Sequence, residues 1–168
     1  MKVKIAQKTI WEVEHWRGEK LLSRSIDKNI VPDQMVNHCL DVIWNGATQF
    51  PTWYIGLTNG TYTPQASDTY ATPGISEASS YTGDRKVWSK GSAASKQVQY
   101  SAAASFTLNG NDSTIYGAFL CNVATPGDTA AANGILGPSA KFTTEKTGIE
   151  NGDVLKVRVT STGADDGV

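Results

Sequence analysis

Asn-Gly occurs five times in this 168-residue chain, at positions 45, 59, 109, 133 and 151, and four of the pairs abut strand-like runs. Asn-Gly tolerates positive φ at both central turn positions, which makes it the strongest short-range signal for a tight reversal between antiparallel strands. The flanking runs have strand periodicity. Val3, Ile5, Trp11 and Val13 share one parity, against Lys2, Lys4, Lys8, Glu12 and Glu14 on the other. With Arg17-Gly18 as a turn, residues 1–28 read as a β-hairpin with one apolar side.

Further along, Val98, Tyr100, Ala102, Ala104, Phe106 and Leu108 alternate with polar residues, which predicts one long strand with a single buried face. Residues 113–122 are apolar on both parities and predict a central strand covered on both faces. Ile135-Leu136 and Ala140-Lys141-Phe142 read as short edge pieces around Pro138. After Asn151-Gly152, the residues Val154, Leu155, Val157 and Val159 alternate with Lys156, Arg158 and Thr160 to form a closing strand.

The most continuously apolar stretch is Thr52-Trp53-Tyr54-Ile55-Gly56-Leu57. It predicts a short mid-core strand in which Gly56 admits a bulky neighbour. One helix is expected over about 32–45: Pro32 and Asp33 suit its first turn, and Asn45-Gly46 supplies a left-handed stop. Met35, Val36, Cys39, Leu40 and Ile43 recur at three- and four-residue spacing and predict an inward face. The fold class is therefore mainly β, an antiparallel β-sandwich or jelly-roll-like domain over 29–168 with one flanking α-helix, preceded by a β-hairpin arm over 1–28.

Fifteen basic and sixteen acidic side chains nearly cancel, with no Lys/Arg cluster to neutralise a phosphate backbone, so nucleic acid is not an expected partner. No run is long and apolar enough for a membrane span, and the first residues lack the apolar core of a signal peptide, which implies a product made and kept in the cytosol or in something assembled there. Only 18% of residues are charged, a composition that suits a β-rich protein with covered faces in an assembly. Cys39 and Cys121 sit in apolar contexts and read as buried free thiols.

Motifs for chemistry are missing. The two histidines, His15 and His38, come without a nucleophile elbow, and the acids are scattered singly beside turn residues. No phosphate-cradling glycine loop or Cys/His metal cluster occurs, so no enzyme activity, cofactor or metal is expected. From Thr58 to Ser92 the chain reads as a long loop, whose aromatics Tyr62, Tyr70, Tyr81 and Trp88 either anchor it or offer a stacking surface for sugars.

Leu40-Asp41-Val42-Ile43, Thr52-Trp53-Tyr54-Ile55-Gly56-Leu57, Ile75-Ser76-Glu77, Arg85-Lys86-Val87-Trp88, Gly117-Ala118-Phe119-Leu120 and Gly152-Asp153-Val154-Leu155-Lys156-Val157 together resemble a family of small virion structural proteins of tailed bacteriophages. The resemblance spans about residues 10–160. It implies a non-enzymatic decoration or cement protein that is assembled in the host cytoplasm and binds the major capsid protein on the virion as a homo-oligomer, a trimer by analogy. A tail or head-fibre receptor- or carbohydrate-binding module is the alternative. The docking element is expected to be the hairpin arm, through Val3, Ile5, Trp11 and Val13, because a lone two-stranded ribbon needs a surface to lie on; the alternative is that the hairpin completes its own domain's sheet.

Overall fold

The computed structural model describes residues 5–127, 131 and 133–165. The elements run β1 (Ile5–Arg17), β2 (Lys20–Lys28), α1 (Asp33–Trp44), β3 (Tyr54–Thr58), β4 (Lys86–Val87), β5 (Gln97–Val98), β6 (Ala104–Thr107), β7 (Thr114–Cys121), β8 (Leu136–Thr147) and β9 (Val154–Asp165). Two antiparallel sheets result. The first has the order β2-β1-β9, with β5 and β6 both pairing with β9; the second has the order β4-β3-β7-β8. This is the β-sandwich-like domain with one helix that the strand pattern predicts.

The sheets bury alternate residues against each other. Trp11, Val13, Phe106, Leu155, Val157 and Val159 come from the first sheet and Ile55, Leu57, Ile115, Leu120 and Phe142 from the second, all at most 3% exposed. β3 and β7 are apolar on both faces because residues 59–85 lie over the other side of the second sheet. There Tyr70, Phe119, Cys121 and Leu136 form a smaller cluster. Gly56 fills its expected role: a Cβ there would collide with the Phe119 ring.

The hairpin takes the second of its two expected placements and completes the domain's own sheet. β1 is not part of a separable arm but an interior strand, paired with β2 on one side and with β9 on the other from Ile5↔Asp165 to Trp16↔Val154. Trp11 and Val13 are completely buried in the domain's own core. Alternation shows that one side of a strand is buried, but not which chain buries it.

The Asn-Gly pairs also act differently. Asn109-Gly110 links β6 to β7 and Asn151-Gly152 links β8 to β9, with φ +79 and +91 at the glycines, and each carries the chain from one sheet to the other. They are corners rather than hairpins, and they brace each other: the Gly152 amide donates to the Leu108 carbonyl and the Leu108 amide to the Asp153 carbonyl. The run at 97–108 is interrupted, because a tight Ala94–Gln97 turn and a Lys90↔Tyr100 bridge draw residues 99–103 away from β9 and leave Tyr100 38% exposed. The two edge pieces around Pro138 are instead one strand, β8. Between Leu136 and Ser139 it advances one residue more than β7 does, so the proline, which has no N–H, falls in a bulge.

Where the edge strands β2 and β8 meet, polar side chains close the sheets. β2 and β8 run side by side, where Asp27, 1% exposed, accepts from the Thr143 amide (2.6 Å) and hydroxyl (2.7 Å). The fully buried Lys146 ammonium donates to Ser25 Oγ at 2.9 Å. Inward charges of this kind block further strand addition.

Candidate interaction surface

Of the residues expected to dock, Val3 lies outside the described residues, and Ile5 is placed only as the first residue of β1. Trp11 and Val13 are core residues and offer nothing to a partner. The outward parity of the hairpin is the available one. Ile10 (47% exposed), Leu22 (38%) and Ile26 (63%) stand in water there. Around them Glu12 bridges Arg24 (3.1 Å) and Arg158 (2.9 Å), Arg158 also reaches Glu14 (3.2 Å), and the Lys156 ammonium lies over the Trp16 ring. Partial burial opposes the Glu14 charge, but hydrogen bonds from Trp16 and Arg158 outweigh it and hold this carboxyl below the ordinary carboxylate range. The result is a flat, rigid face of mixed sign with apolar points, held in register by β9.

The loop aromatics do not form a stacking surface. Tyr70, Tyr81 and Trp88 are buried: Tyr81 packs edge-on against Phe106, and the Trp88 indole donates to the Val159 carbonyl. Tyr62 alone is exposed, and its hydroxyl is engaged by Asp68 at 2.8 Å. The anchoring role therefore holds. Its centre is Arg85, 4% exposed, which donates through Nε and Nη2 to the two oxygens of Glu77 (2.7 and 2.8 Å) and through Nη1 to the Tyr70 hydroxyl and the Val123 carbonyl. Burial opposes the charge of this guanidinium, but the Glu77 bonds outweigh it and hold its pKa above the ordinary value. Cys121 faces the same cluster, and burial pushes its thiol up to about 11, so it remains protonated and inert near neutrality.

A second buried ionic group ties the end of β1 to the β8–β9 corner. Asp153, 1% exposed, accepts from Arg17 Nε (2.8 Å) and Nη2 (3.0 Å), pairs with His15 Nε2 (2.8 Å) and receives the Glu150 amide (2.9 Å). Those bonds, Arg17 foremost, hold its carboxyl far below the usual range. His15 is thus a structural histidine, and His38 packs against Phe50 and Trp53 at the helix edge. No cluster of three or more potential metal ligands occurs among the described residues.

The largest departure concerns α1. Pro32 precedes it in extended conformation, Asp33 occupies its first turn and Gly46 (φ +68) ends it, as its sequence predicts. Its apolar stripe, however, packs inward only in part. Met35, His38, Cys39 and Val42 face the domain, across a small cavity from Phe50 and Trp53 with Ile43 at its rim, whereas Val36 (39%), Leu40 (41%), Ile43 (65%) and Trp44 (76%) are exposed. Val36, Cys39, Leu40 and Ile43 line a cleft of about 570 Å³ with Ile30 (40% exposed), Val31 and Ala66. Two apolar stripes share this helix, and sequence spacing alone does not say which one meets the core. Cys39, expected to be buried, is half-buried between them.

No family model and no curated protein matches this chain. Among the described residues no helix is long and apolar enough to cross a membrane.

Proposed function

We propose that this chain is a non-enzymatic structural subunit of a tailed-phage virion, which binds the outside of the capsid as a decoration protein and stabilises the shell. The observation that carries the reading is the apolar surface left in water on rigid elements, on the outward stripe of α1 and at Ile10, Leu22 and Ile26 on the hairpin. Soluble monomers rarely keep large contiguous apolar patches exposed, and patches rimmed by polar groups mark contact surfaces. The sequence resemblance to virion structural proteins supplies the partner, the major capsid protein.

The hairpin remains the docking element in this reading, through the outward residues instead of Trp11 and Val13. Its mixed-sign rim fits a partner surface carrying both charges, where complementary pairs fix orientation more than they add affinity. The buried loop aromatics weigh against a glycan-binding module. To test the assignment, purified protein is mixed with undecorated shells. Wild type should co-sediment with them and raise their thermal disruption temperature. An Ile10→Asp/Ile26→Asp double variant, folded but unable to bind, would support the hairpin face; equal binding by that variant would remove it from the interface.

A further inference from the structure

We propose that two copies of this chain associate about a two-fold axis through the outward face of α1, each Trp44 seated in the cleft beside the other copy's Val36 and Ile30. The inference rests on the assembly reading above, and it names a partner for a different face.

Four observations lead to it. The residues left exposed, Val36, Leu40 and Ile43, follow a four-then-three spacing, which is the seam of a helix pair. The same face carries a knob and a hole. Trp44, 76% exposed, projects at one end of the helix, and the cleft runs along the stripe from Val36 through Leu40 to Ile43, with Ile30 and Val31 as its other apolar wall. A two-fold axis passing near Leu40 brings each knob to the partner's hole and sets the two Leu40 side chains face to face.

Area is the third consideration. Ile30, Val36, Leu40, Ile43 and Trp44 together leave roughly 500 Å² in water, about 1,000 Å² over two copies, which reaches the threshold of a specific interface at the weak, reversible end. The fourth is charge. The helix bears only Asp33 and Asp41 as ionic groups, with no basic residue in its last turn. Side by side in parallel, as around a three-fold axis, copies would crowd their Asp33 carboxylates together. Antiparallel copies crossing at Leu40 separate the Asp33 carboxylates by about 20 Å along the helix axis, beyond the ~8 Å screening length of physiological salt, and oppose the helix dipoles favourably; the Asp41 carboxylates stay near the axis in either arrangement, each engaged by its own Asn45 side-chain amide. Strand addition is not an alternative route at the β2–β8 side, where Asp27 and Lys146 block the edges.

The test uses the full chain. Equilibrium sedimentation over a wide concentration range should show a monomer–dimer equilibrium, and Leu40→Asp and Ile43→Asp should each weaken it roughly tenfold or more. Both positions are exposed within one copy, so unfolding measured on dilute protein confirms that the variants fold. For geometry, Leu40→Cys in a Cys39→Ala background should oxidise rapidly to a covalent dimer, as the two-fold axis requires. A monomer at every concentration, a trimer, or a dimer indifferent to Leu40→Asp overturns the proposal. Shell binding separates the two readings: a monomeric chain that coats shells sinks this inference alone, and a dimer that ignores shells sinks the decoration reading alone.

Discussion

Trp11→Ala distinguishes a hairpin that belongs to the domain from one that merely hangs from it. The indole is fully buried, which at ~150–250 Å² and ~25 cal/mol per Å² contributes about 4–6 kcal/mol as an upper bound. Its Nε1–H has no acceptor in the structure, and that unsatisfied donor gives back ~1–3 kcal/mol. The net cost of truncation is therefore about 3 kcal/mol, a large share of a typical domain's stability. The orphaned N–H leads to a sharper expectation. Trp11→Phe loses some packing but removes the unpaired donor, and should cost only ~1 kcal/mol or less. Ile26→Ala, at a 63% exposed position on the same hairpin, should stay within about 0.5 kcal/mol. Urea unfolding followed by circular dichroism, at one fixed protein concentration, measures all three. A Trp11→Ala loss below about 1 kcal/mol would refute the burial argument and return the hairpin to the status of an arm, and a Trp11→Phe loss as large as that of alanine would refute the claim about the indole N–H.

Arg85→Met should destabilise by about 3–5 kcal/mol, because it strands the Glu77 carboxylate beneath the loop; adding Glu77→Gln should recover part of the loss, which a double-mutant cycle would show. Asp153 binds its proton more weakly folded than unfolded, so the stability it provides is complete above its unfolded pKa of ~3.9 and is lost as pH falls further toward the depressed folded value. Asp153→Asn should therefore lower the unfolding midpoint at neutral pH and flatten its decline in acid; parallel acid profiles for the two proteins would contradict this. Gly117→Ala should cost ~1–3 kcal/mol, since the added methyl meets the Ala140 carbonyl across the β7–β8 pair, and an unchanged midpoint would show that the strands separate freely.

Much of the fold was legible because burial imprints alternation. The inward parities of β1, β6 and β9 and the two-sided coverage of β3 and β7 follow directly from Trp11, Phe106, Val157, Ile55 and Leu120. Which strands pair was not legible. Asn109-Gly110 and Asn151-Gly152 signal reversal but not whether the next strand joins the same sheet, a matter settled by packing of residues distant in sequence. The break before β6 also has a weak sequence signal, since Ser95 and Lys96 take positive φ without being glycine or asparagine. The interaction surface was half-legible. The hairpin stood out as an amphipathic ribbon, yet its outward Ile10 and Ile26 were overshadowed by the stronger apolar parity that fills the core. On α1 the stripe at Val36, Leu40 and Ile43 was visible as a pattern, and its direction depended on where Phe50 and Trp53 lie.

A particle reconstruction at side-chain resolution, combined with a copy-number measurement on purified virions, tests the central claim most directly. The decoration account predicts many copies at symmetry-related positions across the outer shell, with Ile10 and Ile26 of the hairpin against the capsid surface. Absence of the chain from the particle, or a few copies confined to the tail, would contradict it.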